Sequence, residues 1–289
     1  MRKFLLICAF LIVFPIYGDD TDVYNLDYII PKSHNSFGGI GSIITPTARF
    51  SDDGEITFGL SREIPFNRIY AKMQIFPWME AVLKYTETTH YSYNNNFVQT
   101  WKDKGIDVKF KLLEEGKSNF GLFSESVIPE LALGINDLGG TGSYDSQYIV
   151  GSKRINQNLD FTLGIGFGRL SGAQHINNPF KGIFSSWSTE DSNDLDYGGT
   201  LNVGRWFNSE KAAFFGGLEY LTPIENLSLK IEYDPSDYRD ILNRRTYYDK
   251  RPDQIISIDS RINFGLNYRL NLGTRDKVDL SFGLIHGNT

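Results

Sequence analysis

Apolar and polar residues alternate one for one through segments of about ten residues, and few architectures accept that pattern. In 259–270, Ile262, Phe264, Leu266, Tyr268 and Leu270 form one row, while Arg261, Asn263, Gly265, Asn267 and Arg269 form the other. Segment 105–112 sets Ile106, Val108, Phe110 and Leu112 against Asp107, Lys109 and Lys111. The same rhythm runs through 159–167, 227–234 and 278–284. Weaker versions occupy 55–62, 68–76, 79–88, 130–136, 147–154, 199–207 and 211–221, which predicts about twelve strands. No apolar stripe of period 3.6 exceeds two turns, so the chain reads as all-β.

Soluble sandwiches alternate too, and three further features favour a transmembrane antiparallel β-barrel. Several segments reach nine or more residues, the length a tilted strand needs to cross a bilayer, whereas sandwich strands average about five or six. The polar rows carry full charges beside small residues, as the wall of a wet or narrow lumen would. Aromatics such as Phe76, Trp78, Tyr85, Trp101, Trp206 and Tyr268 recur at segment ends, where rings can sit among lipid headgroups. A mean hydropathy of -0.29 does not oppose this, because lipid-facing and lumen-facing rows cancel. Lys72, Lys84, Asp107, Lys109, Lys111, Arg261, Asn263 and Arg269 are the candidate lumen-lining residues.

The compartment follows from the first residues. Arg2 and Lys3 precede an unbroken apolar run from Phe4 to Phe14, then Pro15 and Gly18, the order of a secretory leader. Residues 1–18 are expected to be a signal peptide and 19–50 a plug or periplasmic lead-in; 51–289 would form the barrel. The single cysteine, Cys8, falls inside the leader, so no disulfide or thiolate chemistry is expected beyond it. A net charge of -6 offers no electrostatic footprint for nucleic acid.

A search for chemistry finds little. His34, His90, His175 and His286 lack metal-binding spacing and read best as surface residues. Gly164, Gly166 and Gly168 lie within a strand pattern, and Gly38, Gly39 and Gly41 run into Ile43–Pro46, so neither opens a helix as a dinucleotide loop must. The acidic run 190–196 lacks the glycine and final glutamate of a calcium loop. The mixed cationic and aromatic run 243–251 suits an exposed loop. No nucleophile–base arrangement is present, so neither catalysis nor a cofactor is expected.

Several runs resemble the YjbH/GfcD family of exopolysaccharide-export outer-membrane proteins. They are Gly38-Gly-Ile-Gly-Ser-Ile-Ile-Thr-Pro-Thr-Ala-Arg49, Lys102-Asp-Lys-Gly-Ile-Asp-Val-Lys-Phe-Lys-Leu-Leu-Glu-Glu115 and Asp137-Leu-Gly-Gly-Thr-Gly142. Phe215-Gly-Gly-Leu-Glu-Tyr220, Leu229-Lys-Ile-Glu-Tyr-Asp234 and Asn263-Phe-Gly-Leu-Asn-Tyr268 continue the match. The resemblance implies an outer-membrane barrel serving export or assembly of an extracellular polysaccharide, with lipoprotein and periplasmic accessory proteins as partners. Family members are longer, so the chain is expected to represent an N-terminal half or a truncated member. The leading expectation is a polar path for a hydrophilic polymer through a barrel seated in outer-membrane lipid. The alternative is a non-conducting structural or binding barrel or sandwich at the envelope.

Overall fold

The computed structural model describes residues 32–92, 99–117, 127–181, 206–239, 246–247, 257–273 and 276–287. The expected leader at 1–18, the acidic run 190–196 and nearly all of 243–251 lie outside them.

Within those residues the regular elements are all strands apart from a 3-10 turn at Arg169–Ser171 and helical residues at Val127 and Arg239. The strands are β1 (Ile56–Glu63), β2 (Phe66–Phe76), β3 (Met79–Ser92), β4 (Thr100–Leu113), β5 (Glu130–Leu138), β6 (Ser146–Asn156) and β7 (Leu159–Gly168). They continue with β8 (Ile176–Asn177), β9 (Lys211–Leu221), β10 (Leu227–Tyr233), β11 (Thr246–Tyr247), β12 (Ile262–Asn271) and β13 (Lys277–Leu284). Eleven of them form one antiparallel meander in the order β1-β2-β3-β4-β5-β6-β7-β9-β10-β12-β13, while β8 pairs with β9 and β11 with β3.

Two expectations need correction. Segment 199–207 is not a rung of the ladder over its described end, because Trp206 and Phe207 form a turn and β7 pairs directly with β9. With that segment removed, successive connections alternate in length. One end of the sheet carries turns 77–78, 157–158, 222–226 and 272–276; the other carries 139–145, 169–210 and 234–261. The connections 64–65 and 114–129 depart from this rule. The second correction concerns closure: no ladder joins β1 to β13 among the described residues. The two edges are tied at the short-turn end by an ion pair, Lys277 Nζ to Glu55 Oε2 at 2.6 Å.

The sidedness of the sheet is the reverse of a water-soluble sandwich. On β12, Phe264 is 49% exposed while Asn263, one residue away, is fully buried. On β1, Phe58 and Leu60 are 80% and 78% exposed. Leu163 on β7, Ile231 on β10 and Phe282 on β13 face outward as well. Apolar rows point out and charged rows point in, along strands that obey the two-residue period.

Polar strands can face inward only if something satisfies them, and here residues 33–51 do so. Nearly all of this segment is buried, and its contacts reach from β1, where Ser61 Oγ donates to Ser36 O, to β13, where Asp279 lies 3.6 Å from His34 Nδ1. A sheet whose first and last strands touch the same segment must curl around it. The chain enters at the short-turn end beside Arg269, runs to an aromatic cluster of Phe37, Phe66, Trp101, Tyr144 and Tyr238 at the far end, and returns to begin β1. Three cross-strand pairs make room for the inner aromatics: Tyr70 over Gly59, Tyr148 over Gly134 and Phe215 over Gly164. In each, the ring occupies the space where the partner's Cβ would stand, the arrangement by which an aromatic covers a strand glycine.

Candidate functional site

The inward rows of β3, β4, β5, β7 and β10 converge on the buried segment. Lys109 Nζ donates to the carbonyl oxygens of Ile40 at 3.1 Å and Arg49 at 2.8 Å, and lies 3.3 Å from Glu80 Oε1. That glutamate oxygen also accepts the Ile40 N–H at 3.1 Å. From the opposite wall, Lys230 Nζ donates to Gly41 O and Ser42 O at 3.2 and 2.8 Å. Glu232 accepts the backbone N–H groups of Ile43, Ile44 and Thr45 at 3.0, 2.9 and 3.1 Å, together with the Thr45 hydroxyl. These bonds answer a physical requirement: residues 40–45 have little regular structure, so their buried backbone groups need side-chain partners.

At the short-turn end the segment finishes in a charge cluster. Arg49 bonds both oxygens of Asp160 and lies 2.6 Å from Glu115 and 2.9 Å from Glu130. Burial opposes its charge, but the bond to Asp160 and the surrounding carboxylates raise its pKa above the ordinary arginine value. Lys111 and Lys153 complete the cluster through Glu130 and Glu115.

The structure places all eight candidate lumen residues on the inward side, engaged with protein partners. Lys72 meets Ser51 and Glu55, and Lys84 pairs with Asp107 at 2.5 Å. Lys111 pairs with Glu130, and Arg261 donates to Ser236 O. Asn263 donates to Glu232 Oε1, and Arg269 makes a two-pronged contact with Asp279 while donating to Lys32 O. Arg49, Glu80, Glu115, Glu130, Asp160, Lys230 and Glu232 were not singled out by sequence reasoning. Lys230 and Glu232 stood in a recognised polar row; their special task depends on a partner about 190 residues away.

The histidine expectation also needs correction. His34 and His286 are buried: the first stacks on Tyr70, and the second lies 3.0 Å from Asp234 Oδ2. His175 lies 3.0 Å from the Tyr233 hydroxyl, and the side chain of His90 is outside the described residues. Among the described residues no cluster of three or more His, Cys, Asp or Glu is placed to hold a metal ion.

The outer surface has its own order. Phe76 and Trp78 stack at 5.2 Å beside Phe110 at the short-turn end. Toward the long-loop end, Phe167, Phe180 and Phe207 form a covered aromatic patch. No helix among the described residues is long and apolar enough to cross a membrane, which leaves strand crossing untouched.

Residues 33–289 match the YjbH family model, described as exopolysaccharide biosynthesis protein YbjH. The chain is also 33% identical over 278 residues to the uncharacterized lipoprotein YjbH of Escherichia coli K12. That alignment covers 94% of this chain and 36% of the relative, so the chain spans about a third of that protein's length. No solved structure matches.

Proposed function

The chain belongs to the YjbH family of exopolysaccharide biosynthesis proteins, and on that premise we propose that it is an outer-membrane β-barrel plugged by its own residues 33–51. The observation that carries this reading is the inverted sidedness: outward rows of Ile, Leu and Phe flank an interior of paired charges. In water such a surface would exceed the few hundred Å² of contiguous apolar area that a soluble monomer tolerates. In hydrocarbon it is the favourable arrangement, and the Phe76–Trp78 stack takes the place of an interfacial girdle. The short turns then face the periplasm and the long connections face outward. Envelope attachment is in keeping with the Escherichia coli relative, which is named a lipoprotein.

The filled interior favours the non-conducting alternative over an open polar path. Lys109, Lys230 and Glu232 bind the segment from the wall, and Arg49 of the segment binds Asp160 in return. In this reading the protein is a non-catalytic scaffold of the export apparatus. It works with lipoprotein and periplasmic accessory proteins, and polymer passes its lumen only after the plug moves. The experiment is to fold the purified chain in detergent, compare boiled and unboiled migration, and record planar-bilayer conductance. Heat-modifiable migration with only rare openings is expected. A folded monomer dispersed in detergent-free buffer would overturn the membrane reading, and steady large conductance would overturn the plug.

A further inference from the structure

At the short-turn end, between the returning segment and strands β9, β10, β12 and β13, lies a cavity of about 950 Å³. That is at the upper end of the roughly 300–1,000 Å³ usual for small-molecule sites. We propose that this cavity binds a hydroxyl-rich saccharide segment that is uncharged or carries amino groups, and rejects uronate polymers. The inference rests on the exopolysaccharide reading above and adds the chemical class of ligand and the place where it docks.

The argument is one of unspent hydrogen-bonding capacity. The cations bordering the cavity are already neutralised: Lys32 by Asp52, Lys277 by Glu55 and Arg269 by Asp279. The acidic side is in surplus. Asp53 and Asp276 form no ion pair among the described residues. Glu219 forms no direct ion pair among the described residues; it accepts from Ser228 at 2.6 Å and Ser33 at 3.4 Å and feels the Arg269 charge only from beyond contact. Asn226 and Asn271 add amide groups that both donate and accept. Carboxylates without cations accept hydrogen bonds from vicinal hydroxyls or ammonium groups and repel other carboxylates. Leu221, paired with the inward Ser228, supplies an apolar contact for the face of a sugar ring. The position suits the task, because in the proposed orientation this mouth opens to the periplasm, from which a polymer would arrive.

The test is calorimetric titration of the full chain, folded in detergent at low salt, with cellohexaose, a glucosamine hexamer and a galacturonate hexamer. Binding of the first two, at least tenfold tighter than the third, is expected. Glu219→Gln, shown to be folded by heat-modifiable migration, should weaken the glucosamine hexamer about tenfold; Asp276→Asn, further round the rim, serves as a second variant. Equal or tighter binding of galacturonate, no binding of any hexamer, or unchanged affinities in both variants would overturn the proposal. The underlying reading fails separately: deleting the chain would then leave surface exopolysaccharide unchanged, whatever the cavity binds.

Discussion

Arg49 and Asp160 face each other across the interior in a two-pronged clasp, Nε to Oδ2 at 3.0 Å and Nη2 to Oδ1 at 2.5 Å. The pair joins the end of the buried segment to β7. Glu115 and Glu130 have lysine partners of their own, whereas Asp160 has Arg49 as its only cation among the described residues. Arg49→Met therefore strands a buried carboxylate. A loss of about 3–5 kcal/mol is expected, the usual cost of removing one member of a buried pair. Thermal melting in detergent measures it, and frequent bilayer openings should accompany it. Adding Asp160→Leu should recover part of the stability, since no unpaired charge then remains.

Neighbouring residues on β12 separate the two faces. On the proposed membrane reading, Phe264→Arg puts a cation on the lipid-facing row, which costs about 2–4 kcal/mol near mid-bilayer, and should abolish heat-modifiable folding. Asn263→Leu should still insert while loosening the interior. It removes the donor to Glu232 and the acceptor for the His286 N–H, exposing 33–51 to protease. Normal insertion of the arginine variant would reverse the facing.

The tie between the sheet edges is acid-sensitive. Burial opposes ionisation of Glu55, but the hydrogen bond from Lys277 and the charge of Lys72 overcome it and hold the carboxyl at about 2. The folded pKa lies below the ordinary 4.5, so this stabilisation is full above 4.5 and is lost as pH falls toward 2. Melting temperatures across that window should drop more in wild type than in Glu55→Gln, which lacks the titration.

His286 behaves in the opposite sense. Burial lowers its pKa, but the Asp234 contact outweighs burial and raises it above 6.5. The contribution is complete below 6.5 and fades as pH rises through the higher folded value. His286→Asn should flatten the stability profile there, and the imidazole proton shifts report the titration directly.

Gly38 is held at φ 95°, and a Cβ there would overlap the Tyr70 ring. Gly38→Ala should therefore cost about 1–3 kcal/mol through overpacking and shift Phe37 within the aromatic cluster. Tryptophan fluorescence of Trp101, which packs in that cluster, follows the change.

Strand positions and their two faces were legible without coordinates. Side-chain direction has period two, a local property that Ile262 to Leu270 or Leu227 to Glu232 displays within a few residues. Gly164, opposite Phe215, was readable as a strand glycine, though not as the seat of a ring, and Gly134 opposite Tyr148 was not singled out. The same period suggested a strand at 199–207 whose described end, Trp206 and Phe207, is a turn, because alternation does not reveal whether a segment finds a ladder partner.

Tertiary structure decided what the inward charges face. The sequence alone placed Lys109, Lys230 and Glu232 in polar rows, which equally suit water in an open lumen or the backbone of a buried segment. Which of these applies depends on contacts across 60 to about 190 residues, and no local periodicity encodes them. Arg49 entered the sequence reading only as the end of a family-like run, with no role assigned to its charge. It became central once the curled sheet brought Asp160, Glu130 and Glu115 to it, because a buried cation must find its carboxylates in three dimensions.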